Sequence, residues 1–184
     1  MRCFRHPLAA VLMAVLLVGG LAMPAAHAAN VTLRMAAVTE VVAGILSYAR
    51  WPDSGKATAG GLQLCVVGPT EYADALLQSG NPASRWRDDV KRLAVDDYEI
   101  TAGCHALYVG VIDDQESQQL FSRIQGSHIL SISERNDSCA MGSMFCLNIE
   151  DGLVTFDVNL DAVARSGVKV HPHVLKLGRR TSRP

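Results

Sequence analysis

The sequence predicts an α/β fold: a mostly parallel sheet flanked by helices on both faces, with a C-terminal antiparallel hairpin. Three observations predict it. Short strand-like runs at 62–67, 90–95, 105–112 and 128–133 alternate with segments of helical period, the pattern of right-handed strand–helix–strand units. Most of these runs are bounded by Gly, Pro or acidic turn residues, as buried strands are. After Phe145 the pattern changes, because two strand-like segments, 145–150 and 153–159, flank Asp151-Gly152, a dipeptide that favours a tight antiparallel turn.

The 184 residues suffice for one domain with a proper core. Hydrophobic residues make up 49%, aromatic residues 5% and charged residues 19%, which excludes a disordered chain and gives no footing for nucleic-acid binding. Residues 1–28 read as a signal peptide. Arg2 and Arg5 give a basic start, LAAVLMAVLLVGGLAM an apolar run, and Ala26-His27-Ala28 a small-x-small cleavage site. An uncleaved anchor is the weaker reading, since Gly19, Gly20 and Pro24 interrupt the run before the ~20 apolar residues that a spanning helix needs. Cys3 lies ahead of the run, not at its end where a lipid would be attached. The folded domain is then 29–178, and the basic end RRTSRP, 179–184, is a disordered tail. Without Arg2 and Arg5 the chain from residue 29 to 184 has 15 basic and 18 acidic side chains, so it is mildly acidic.

Four cysteines follow the expected cleavage site: Cys65, Cys104, Cys139 and Cys146. An even set in an exported chain reads as two disulfides, with three possible connectivities. The most natural joins Cys65 to Cys104 and Cys139 to Cys146. A four-thiolate zinc site is the rival, but no pair has the close spacing of structural zinc.

Taken in order, Val31 to Trp51 reads as an amphipathic helix carrying Leu33, Met35, Val38, Val42, Ile45, Leu46 and Ala49, stopped by Pro52. The Trp51 indole is expected where helix meets sheet. The run LQLCVV, 62–67, is a buried strand, followed by Gly68 and a helix, EYADALLQ, capped by Thr70. The segment GPTEYAD lacks the second glycine and the lysine of a phosphate loop. Residues 81–87 form a polar loop, 90–95 a second strand, and DDYEITAGC an acidic turn before the strand HALYVGVI. Asp113 or Asp114 caps a helix with Leu120, Phe121 and Ile124 on one face, and HILSIS is the next strand. The pairs Asp88-Asp89, Asp96-Asp97 and Asp113-Asp114 sit at element boundaries and read as caps and solvated charge.

In the second hairpin strand Val154, Phe156 and Val158 share one face, so Asp157 and Asn159 point outward. Asn159 or Asp161 caps a short helix with Leu160, Val163 and Ala164 available for packing, closed by Gly167. Residues 168–171 alternate again, turning Lys169 and His171 away from the valines, and Pro172 starts a last helix to Leu177.

No nucleophile elbow, zinc-hydrolase helix, P-loop or dinucleotide fingerprint occurs, so no catalytic residue is assigned and an enzyme is disfavoured. His171-Pro172-His173 could ligate a metal, but the proline breaks strand geometry and no third ligand is close in sequence, so no metal site or cofactor is assigned. His105 and His128 open buried strands and are expected to be hydrogen-bonded there.

The segment ILSYARWP, the cysteine layout and above all VTFDVNLDAVARSGVKVHPHVLKL resemble the YfiR/HmsC-like family, over essentially the whole mature chain. The resemblance implies a non-enzymatic periplasmic repressor. It would bind the periplasmic domain of the inner-membrane diguanylate cyclase YfiN, holding down cyclic-di-GMP synthesis and biofilm formation. The outer-membrane OmpA-like lipoprotein YfiB would relieve this by sequestration. The family also implies a homodimer, a redox-sensitive disulfide layout with the same pairing, and no nucleic-acid partner. Within that reading the outward residues Asp157, Asn159, Lys169 and His171, with Val163 beside them, are the expected partner-binding surface. Two other classes stay open: a periplasmic small-ligand-binding protein with its pocket beside Lys169 and His171, taking an aromatic or amino-acid-like ligand, and an exported enzyme of unassigned type.

Overall fold

A computed structural model describes residues 24–52, 61–77, 90–150 and 153–180. Helix α1 spans Pro24–Ser47, strand β1 Ala49–Arg50, β2 Leu64–Val67, α2 Asp74–Leu77 and β3 Lys91–Leu93. Next come α3 Glu99–Gly103, β4 Ala106–Val109, α4 Asp114–Ile124, β5 Leu130–Ser133 and α5 Ser138–Met141. The chain continues with β6 Phe145–Glu150, β7 Leu153–Val158, α6 Leu160–Ser166, β8 Lys169–Val170, a 3-10 turn Pro172–Lys176 and α7 Leu177–Arg180.

The main sheet has the order β3-β2-β4-β5-β6-β7, and only β7 is antiparallel to its neighbour. β2, β4 and β5 are buried throughout, which is why β2 and β4 read as continuous apolar runs, whereas β5 alternates Leu130 and Ile132 with the buried Ser131 and Ser133. Leu64, Val66, Tyr108 and Ile132 point to one face, under Val38, Val42 and Ile45 of α1 and Val174 of the 3-10 turn. Cys65, Val67, Leu107 and Val109 point to the other, under Ile100 of α3 and Leu120, Phe121 and Ile124 of α4. The sheet is thus covered on both faces, as the alternating pattern required. The hairpin register runs from Phe145 opposite Val158 to Glu150 opposite Leu153. The Asp151-Gly152 turn lies outside the described residues, as do Asp88-Asp89, the 81–87 loop and residues 1–23 of the expected signal peptide.

Several elements differ from the sequence expectation, each for a local reason. Helix α1 begins at Pro24 and ends at Ser47, and Leu33 is exposed, so its packed face starts at Val38. Its expected last turn is strand β1 instead, paired with β8 as Ala49 opposite Val170 and Arg50 opposite Lys169. A two-residue strand has no period to read. Thr70 does not cap α2, which starts four residues later at Asp74. The amides of Glu71 and Tyr72 are taken by the Glu134 carboxylate, at 2.8 and 2.6 Å, so no helical turn forms there, and the Thr70 hydroxyl accepts from Arg92. The stretch expected as an acidic turn contains α3, with the Asp97 carboxylate accepting from the Glu99 amide at 2.8 Å. In α6 it is Ala162 and Ser166 that face inward, while Leu160 is 74% exposed and Ala164 exposed. The helix has only seven residues, and its Asn159 cap sets the entry angle. Helix α7 continues through Arg180, into the segment expected as a tail.

Other local readings hold. Asp113 and Glu116 form a reciprocal capping box on α4. Gly167 ends α6 at φ +76°, and a Cβ there would lie 2.5 Å from the His128 ring. The Trp51 indole donates to the His105 carbonyl at 2.9 Å, tying the end of the α1–β1 unit to the start of β4. His105 is buried, its Nδ1 accepting from the Gln63 amide at 3.1 Å. The cysteines form two disulfides, Cys65–Cys104 and Cys139–Cys146, with Cα separations of 5.9 and 5.7 Å.

Candidate partner-binding surface

The segment from the end of β7 to the 3-10 turn is the most continuous exposed run carrying the residues singled out from sequence. Asp157 is exposed on edge strand β7, its carboxylate accepting from the Asn148 amide at 3.3 Å. Asn159 is half-buried and committed at both ends. Its Oδ1 accepts from the Ala162 amide at 2.9 Å, capping α6, and its Nδ2 donates to the Cys139 carbonyl at 2.8 Å. Val163 is half-buried against the core, leaving part of its side chain outward. The Cys139–Cys146 disulfide backs this segment, because Cys146 is the cross-strand neighbour of Asp157.

Lys169 and His171 are exposed one strand further on, and there the chain closes on β1. The His171 amide donates to the Tyr48 carbonyl at 3.0 Å, and the two rings stack at 6.3 Å between centroids. His171 Nδ1 accepts from the His173 amide at 3.2 Å, and the His173 ring meets it edge-on at 4.6 Å. Tyr48, Arg50, Lys169, His171, Pro172 and His173 line an open cleft of about 590 Å³. Two cations and several ring faces in one cleft suit an anionic group attached to a flat ring. The structure therefore brings Lys169 and His171 together in this cleft, and Asp157, Asn159 and Val163 lie outside it.

The chain matches the sequence model of the YfiR/HmsC-like family over residues 36–179. It belongs to the YfiR/HmsC-like family. The match begins in α1 just before its packed face and takes in every strand, both disulfides and the whole segment 157–171. Membership makes it a periplasmic regulatory protein of the class acting on diguanylate cyclases, a family not known for enzymes.

Tyr48, Arg50 and Pro172 were not singled out as site residues from the sequence. Tyr48 and Arg50 gave no signal, because a helix was expected to run through them. A second polar feature carries no motif in the sequence. Glu134 closes β5 and is only 6% exposed, and its carboxyl is pushed up to about 7. Burial is the main cause, opposed by the two amides it accepts from, raised further by the Glu71 charge and lowered by Arg92. Nearby, the buried Tyr108 hydroxyl is raised, first by burial and then by the Glu134 charge.

Proposed function

We propose that this protein is a non-enzymatic periplasmic repressor that binds the periplasmic domain of an inner-membrane diguanylate cyclase of the YfiN type, lowering cyclic-di-GMP synthesis and biofilm formation. An outer-membrane OmpA-like lipoprotein of the YfiB type sequesters it and lifts the repression, and the working form is a homodimer. The family match across 36–179 is the observation that carries this reading. The segment 157–171, with exposed charge at Asp157 and Lys169 around a half-buried Val163, supports it as the recognition surface. Apolar centres ringed by polar groups are how protein interfaces are commonly built. Cleavage after Ala28 would remove the first five residues of α1, Pro24 to Ala28, and leave its packed face from Val38 intact. Deleting the gene is the deciding experiment. Intracellular cyclic-di-GMP should rise and fall again on complementation; an unchanged level sinks the repressor reading.

The cleft at Tyr48 and His171 favours a second reading, a periplasmic small-ligand-binding protein that takes an aromatic, carboxylate-bearing molecule between Arg50 and Lys169. Titrating an aromatic amino acid while following the unfolding midpoint tests it. Stabilisation lost in Lys169→Ala supports the reading, and no stabilisation at millimolar ligand removes it.

A further inference from the structure

Open α/β sheets bind ligands beyond the carboxyl ends of their strands, starting where successive connections leave on opposite sides. In this sheet that point is at β2, with β3 on one side and β4 on the other. A crevice of about 390 Å³ begins there at Glu71 and Tyr72, passes Val111 and Glu134, and reaches Ile149 and Glu150 of β6. It shares no lining residue with the cleft at Tyr48 and His171.

Glu134 is the fixed group of this crevice. Its Oε1 is held by the amides of Glu71 and Tyr72, while its Oε2 is buried and has no hydrogen-bond partner among the described residues. An acceptor held in place with a free lone pair is oriented for a donor before the donor arrives. The remaining charge is of the same sign. Glu71 and Glu150 are exposed at either end and make no ion pair among the described residues, and Arg135, the basic residue of the lining, is engaged by Asp137 at 3.2 Å. Apolar surface from Tyr72, Val111 and Ile149 separates the carboxylates.

A divalent metal is the wrong occupant, because metals need several converging oxygens. Among the described residues no three His, Cys, Asp or Glu side chains converge. Carboxylates spaced along an apolar trough instead match ammonium groups spaced along a hydrocarbon chain. We propose that this crevice binds a linear aliphatic polyamine, with one ammonium group on Glu134 Oε2 and others toward Glu71 and Glu150. Apolar side chains contact the methylene stretches, and the charge-assisted bond to Glu134 sets the register.

The probe is spermidine, titrated calorimetrically into the purified protein at pH 8 and about 0.15 M salt, where nonspecific attraction between exposed charges is screened. One saturable site is expected. Glu134→Gln keeps the oxygen that holds the two amides and replaces the free one by an NH2 donor, so affinity should fall at least tenfold with no loss in unfolding midpoint. Glu150→Gln should weaken binding three- to tenfold, and Asp114→Asn, an equal charge change on α4, should leave it within twofold. Absence of a saturable site, or equal losses in Glu134→Gln and Asp114→Asn, overturns the assignment. Should Glu134→Gln fail to fold, the contrast of Glu150→Gln with Asp114→Asn decides.

Discussion

The side-chain amide of Asn159 donates to the carbonyl of Cys139 at 2.8 Å, while its oxygen caps α6 through the Ala162 amide. Cys139 Sγ lies 3.9 Å from the Asp157 carbonyl, and its disulfide partner Cys146 pairs with Asp157 across the hairpin. One asparagine therefore couples the short disulfide to the start of the proposed recognition segment. Asn159→Ala removes a cap and a second hydrogen bond, each worth about 1 kcal/mol, so about 2 kcal/mol of stability should be lost. Asn159→Asp keeps the cap and should lose about half of that. Hydrogen exchange at residues 160–163 should quicken in the alanine variant well before global unfolding.

The two disulfides should differ in weight. Cys65–Cys104 closes a separation of 39 residues between the interior strand β2 and the end of α3, with both cysteines buried. Cys139–Cys146 closes 7, beside the exposed face of α5. Chain entropy assigns them about 3.9 and about 2.4 kcal/mol. Cys65→Ser should therefore lower the unfolding midpoint more than Cys139→Ser, by roughly 3 to 6 °C for a domain of this size. Equal midpoints would refute the ranking. The same asymmetry makes Cys139–Cys146 the bond whose reduction can loosen 157–163 without unfolding the sheet.

Asp157 offers the cleanest probe of the proposed interface. It is exposed, and among the described residues its side chain makes a single hydrogen bond, at 3.3 Å to Asn148. Asp157→Lys should leave the unfolding midpoint within about 2 °C, since surface changes of this kind stay within roughly 0.5 kcal/mol. Binding to the cyclase periplasmic domain, measured by surface plasmon resonance, should weaken at least tenfold. Retained affinity would move the interface away from β7.

Much of the sheet was legible because β2 and β4 are buried on both faces and read as unbroken apolar runs, while in β5 the apolar Leu130 and Ile132 alternate with the small buried Ser131 and Ser133. The hairpin was legible because alternation in β7 survives with Val154 inward and Asp157 outward. Short elements were not: α3 and α5 have five and four residues, too few for a helical period, and β1 has two. The candidate site was half legible for the same reason. Lys169 and His171 stood out by alternation, whereas Tyr48 and Arg50 join them through a strand pairing across the whole length of the domain. Glu134 was illegible because its importance comes from the Glu71 and Tyr72 amides, more than sixty residues away.

That same Glu134 makes stability depend on pH in a defined direction. Its carboxyl is raised from 4.5 to about 7, chiefly by burial, so the folded protein holds a proton that the unfolded chain releases. The stabilisation from this group is fully present below pH 4.5 and is lost as pH rises through about 7. Its full extent is about 3 kcal/mol. The groups facing it are Glu71 and Tyr72 from the loop before α2, Tyr108 from β4 and Arg92 from β3; of these Arg92 alone opposes the shift by its charge. Glutamine mimics the protonated form, so Glu134→Gln should match the parent protein near pH 4.5 and exceed it by about 3 kcal/mol at pH 8. Urea unfolding of both proteins at the two pH values measures the difference directly. A gap of the same size at both would mean that the carboxyl does not titrate in this range.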